Sequence, residues 1–162
     1  MNLHGEERLA VLLYPDLVQS YRTDKVYDRE TSEKDYAVIT QGPDLSQAQI
    51  DHLRRLYIDL RGYDTLRRIE LERYFPFEGF RAWGRGCEWK PDVVYEYWRD
   101  GKGVRVVICF GCSMWAFESG GKRYGVFGFA EDQRASGLQP MIRETTIEVF
   151  PEMMNSIPKH RH

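Results

Sequence analysis

The 162-residue chain has the length of one ordinary domain, and its 42% hydrophobic and 14% aromatic content suffices for a single sizeable core. Its 23 basic and 25 acidic residues leave a net charge of −2, so there is no overall electrostatic drive toward nucleic acid or anionic membranes. No apolar run approaches the length of a membrane span, and the stretch Leu9 to Tyr14 is too short for a signal-peptide core. These features predict a cytoplasmic protein with no membrane and no nucleic-acid partner. The three cysteines, an odd number, fit thiols or metal ligands better than a disulfide framework.

In chain order, Glu6 to Tyr14 predicts a short helix with Leu9, Leu12 and Leu13 on one side, ended by Pro15-Asp16. Leu17 to Arg22 alternates as a first strand, and the very polar Thr23 to Asp35 reads as an exposed loop. Tyr36 to Thr40 is β-prone, with Gly42-Pro43 as its boundary. Ser46 and Gln49 form a capping box flanked by the staple pair Leu45 and Ile50. Behind them Ile50, Leu53, Leu56, Tyr57 and Leu60 recur at helical spacing up to Gly62. Asp64 to Tyr74 predicts a second helix, and Phe75 to Gly86 an aromatic, glycine-rich ordered loop.

From Val93 the pattern is β. Strands at 93–98, 104–110, 113–117 and 124–129 are separated by turn signals at Asp100-Gly101-Lys102-Gly103 and Ser119-Gly120-Gly121-Lys122. Gln139 to Phe150 closes the chain as a helix with Ile142, Thr146 and Val149 or Phe150 facing inward. The expected fold is one α+β domain over 1–162: an antiparallel meander of five or six strands, with helices mainly on one face. The Cys109-Phe110-Gly111-Cys112 segment is expected at the centre of that sheet.

Cys109 and Cys112 are spaced to bind one zinc ion, with Cys87 as a third sulfur and His52, His160 or His162 as a fourth ligand. A redox pair would instead want a helix N-terminus after the second cysteine, where this sequence is β-type. Val106-Val107-Ile108 before the pair and Met114-Trp115-Ala116-Phe117 after it favour a third reading, in which the thiols behave as small hydrophobes in a buried strand with Gly111 marking a bulge or tight bend. No cofactor is therefore expected, with zinc as the alternative. Eight arginines between Arg54 and Arg85 are interleaved with acids and read as a solvated surface. No nucleophile-elbow serine or paired-histidine spacing is present, and His4 and His52 are the internal general-base candidates, so the sequence leans away from an enzyme. Dense aromatics suggest protein contact, and Phe80, Trp83, Arg85 and Trp98 are the candidate partner-binding residues.

The succession Val18 to Arg22, Leu45-Ser46-x-x-Gln49, Cys87-Glu88-Trp89-Lys90-Pro91 and Val104 to Cys112 resembles a group of uncharacterised small bacterial proteins. In that group a Cys-x-x-Pro segment leads to a hydrophobic strand ending Cys-Phe-x-Cys, then a hairpin and a C-terminal helix. Here the first segment carries one extra residue, and the stretch from Tyr63 to Arg85 is an insertion. The resemblance implies that the three cysteines belong to one local cluster, and it brings no assigned activity. The function expected is a small bacterial protein-interaction factor, of the immunity or accessory kind, with a zinc-binding or thiol-active protein as the alternative.

Overall fold

A computed structural model describes residues 3–24, 37–58, 74–75, 91–111, 113–128 and 138–157. Helix α1 (Gly5–Leu13) opens this part of the chain. The Glu7 carboxylate accepts a hydrogen bond from the His4 backbone N–H at 2.9 Å. Leu9, Val11 and Leu12 are buried. So is Arg8, whose guanidinium donates to the Leu3 carbonyl and lies 3.8 Å from the centre of the Tyr124 ring. That arrangement satisfies a charge inside an apolar face by hydrogen bonding and cation–π contact.

Strands β1 (Leu17–Asp24) and β2 (Ala37–Asp44) form the N-terminal hairpin. Strand β2 continues through Gly42-Pro43, where the sequence suggests a boundary, because β2 is an edge strand and an edge tolerates a missing N–H. Gly42 has a second role there. A Cβ at this position would lie 2.5 Å from Ser20 Oγ and 2.6 Å from the Phe150 ring, so only glycine lets Phe150 seat against the strand.

Helix α2 (Gln47–Ile58) begins with the expected box: the Gln49 N–H donates to Ser46 Oγ at 3.2 Å, and the Ser46 N–H to Gln49 Oε1 at 2.9 Å. Leu45, Ile50, Leu53 and Leu56 are buried as the periodicity requires. Of the helix expected over 64–74, only Tyr74 is described, and it belongs to β3 (Tyr74–Phe75), a two-residue strand; the rest lies outside the described residues.

Strands β4 (Val93–Arg99), β5 (Lys102–Cys109), β6 (Met114–Ser119) and β7 (Lys122–Gly128) make the meander. All pairs are antiparallel, and the sheet order is β2-β1-β4-β5-β6-β7-β3. Asp100 and Gly101 have φ of 49° and 71°, and Gly120 and Gly121 of 58° and 74°, as two-residue hairpin turns of the primed type demand.

The Cys-Phe-Gly-Cys segment begins at the end of β5, the middle strand in the sheet order, and its Cys112 lies outside the described residues. Cys109 is the last residue of β5 and β6 begins at Met114, with the Ser113 N–H donating to the Phe110 carbonyl at 3.1 Å. Asp92 secures the turn by accepting from the Phe110 N–H at 2.7 Å.

Helix α3 (Leu138–Val149) and a 3₁₀ turn (Pro151–Asn155) follow. Ile142, Thr146, Val149 and Phe150 are buried on the side the sequence indicates. The three helices among the described residues share one core with Tyr95, Tyr97, Val104, Val106, Trp115 and Phe117 from one face of the sheet. Val94 and Val107, on the opposite face, are buried as well, with Tyr21 packed against them. Burial on both faces explains why β4 reads as an almost unbroken apolar run. The fold is α+β in a single domain, with the described helices on one sheet face.

Candidate functional site

Antiparallel pairing brings four charged side chains into one row on the face opposite the helices. Glu96 on β4 pairs with Arg105 on β5, Arg105 with Glu118 on β6, and Glu118 with Arg123 on β7. Neighbouring strands are about 4.8 Å apart, so the row alternates in sign at that interval. Arg105 Nε donates to Glu96 Oε2 at 2.6 Å, while Arg123 and Glu118 approach only to 3.7 Å. The Arg105 side chain is 42% exposed, against 10% for Glu96 and 15% for Glu118. Arg123, at 8%, is the most buried of the four, so Arg105 alone forms the open rim of the row.

One strand-step nearer the turns, the side chains on this face are Trp98 and a glycine. Trp98 pairs with Gly103, and a Cβ on Gly103 would lie 2.9 Å from the indole ring. The indole lies over the glycine for that reason. Its Nε1–H is buried and has no hydrogen-bond partner among the described residues.

Beside Trp98 is an open cavity of about 520 Å³, lined among others by Glu96, Lys102, Arg105, Glu118 and the turn glycines Gly101, Gly120 and Gly121. Lys102 donates to the Glu7 carboxylate at 2.7 Å. That hydrogen bond, with the one from the His4 N–H, holds the Glu7 carboxyl below the usual carboxylate range.

The same end of the sheet carries an exposed aromatic corner. Tyr14 is 65% exposed and Leu17 37% exposed, and Leu17 pairs across the ladder with Trp98. The Arg99 guanidinium lies 5.9 Å from the Tyr14 ring centre and donates to the Tyr14 carbonyl at 2.5 Å. Asp16 accepts from the Asp100 N–H at 3.1 Å, tying this corner to the β4–β5 turn.

Of the candidate partner-binding residues, Trp98 stands at this corner; Phe80, Trp83 and Arg85 lie outside the described residues. Of the candidate metal ligands, Cys109 is buried at 1% exposure, and Cys87 and Cys112 lie outside the described residues. Among the described residues no group of three or more His, Cys, Asp or Glu side chains is arranged to hold a metal ion.

His52, a general-base candidate, contacts Thr145 Oγ1 at 3.3 Å. The Thr145 hydroxyl already donates its proton to the Met141 carbonyl at 3.0 Å, so it receives a hydrogen bond from His52 Nδ1 rather than giving one. That contact ties α2 to α3 and activates no nucleophile.

Nothing in composition singles out Glu96, Arg105, Glu118 and Arg123. A signal was nevertheless present in the turns. A two-residue turn at Asp100-Gly101 pairs Glu96 with Arg105, and one at Gly120-Gly121 pairs Glu118 with Arg123. No family model matches the sequence, and no curated protein or solved structure proves similar to it.

Proposed function

We propose that the chain is a non-catalytic factor that binds another protein, of the accessory or immunity kind, and that it docks through the corner formed by Tyr14, Leu17, Trp98 and Arg99. The observation that carries this reading is the exposure of Tyr14 and Leu17 beside Trp98. Tyrosine, tryptophan and arginine are the residue types that dominate interface centres. Arg99 is already fixed by its hydrogen bond to the Tyr14 carbonyl, which lowers the conformational entropy lost on docking.

The test is affinity capture with cross-linking from a lysate of the source organism, using wild type, Tyr14→Ala, Leu17→Asp and Met154→Asp as baits. Met154 is 52% exposed on the 3₁₀ turn and serves as an equally apolar control outside the corner. A partner captured by wild type and Met154→Asp, and reduced at least about tenfold with Leu17→Asp, is the expected result; that loss corresponds to about 1.4 kcal/mol. An identical set of captured proteins for all four baits would refute the corner as the docking site.

A further inference from the structure

We draw no further inference here: the strongest candidate, the open cavity between the β4–β5 and β6–β7 turns beside Trp98, is walled by side chains that project from opposite faces of β5, Lys102 from one and Arg105 from the other, and nothing among the described residues selects one class of ligand for it.

Discussion

Replacing Thr146 by valine leaves the shape of the helix–sheet contact almost unchanged and removes one acceptor. Tyr95 is fully buried, and its hydroxyl lies 2.6 Å from Thr146 Oγ1. Thr146 gives its own proton to the Ile142 carbonyl at 2.9 Å, so Tyr95 is the donor in a relay from β4 into α3. In Thr146→Val the phenol stays buried without an acceptor, which costs about 1–3 kcal/mol. In Tyr95→Phe the Thr146 hydroxyl keeps its carbonyl, so the loss is nearer 0.5–1.5 kcal/mol, and the double variant should cost less than the two singles together.

Burial raises the Tyr95 phenol well above its ordinary value. A group whose pKa is higher in the folded state contributes stability that is fully present below its unfolded pKa, here about 10, and is lost as pH rises above it. The loss runs at about 1.4 kcal/mol per pH unit until the folded pKa is reached. Urea unfolding of wild type and the variants between about pH 8 and 11 separates this slope from that of the other tyrosines, because Tyr95→Phe lacks it and Thr146→Val keeps it. Parallel pH profiles for wild type and Tyr95→Phe would refute the raised phenol, and a smaller loss for Thr146→Val than for Tyr95→Phe would refute the relay.

Two glycines should fail for different reasons. Gly42→Ala forces a Cβ into Ser20 and Phe150 and should cost about 1–3 kcal/mol by urea titration. Gly101→Ala meets no neighbour, and its φ of 71° alone should cost about 1 kcal/mol. Lys102→Ala removes the main cause of the lowered Glu7 carboxyl, so that group should titrate at higher pH by carboxyl NMR. Because Glu7 is depressed in the folded state, the stability linked to it is present above the unfolded carboxyl pKa and lost as pH falls, and Lys102→Ala should weaken that acid dependence.

The elements most legible in the sequence are those specified within a few residues. Ser46 and Gln49 announce α2 because the box is a local hydrogen-bond exchange, and the Gly120-Gly121 turn announces itself because few residues accept positive φ. Features that depend on distant partners were not legible. Gly42-Pro43 looks like a boundary until Phe150, more than a hundred residues later, requires the glycine and the edge position excuses the proline. Arg8 looks like a surface residue, and it is buried because the Leu3 carbonyl and the Tyr124 ring receive it. At the candidate site, Trp98 was visible as one aromatic among many. The ionic row around it appears only when strand register is combined with the turn positions.

The strand order also sets a timetable for folding. The meander closes through short turns between sequence neighbours, whereas β1 must find β4 across the whole interval from Asp24 to Val93. Closing the larger loop carries the greater entropic cost, so the β4–β5–β6 hairpins are expected in the transition state and the β1–β4 ladder after it. In stopped-flow measurements Val106→Ala should then slow refolding, while Val18→Ala should act chiefly by accelerating unfolding. A late-docking β1 would leave Trp98 and its corner incomplete until the last step, making the binding surface itself a reporter of completed folding.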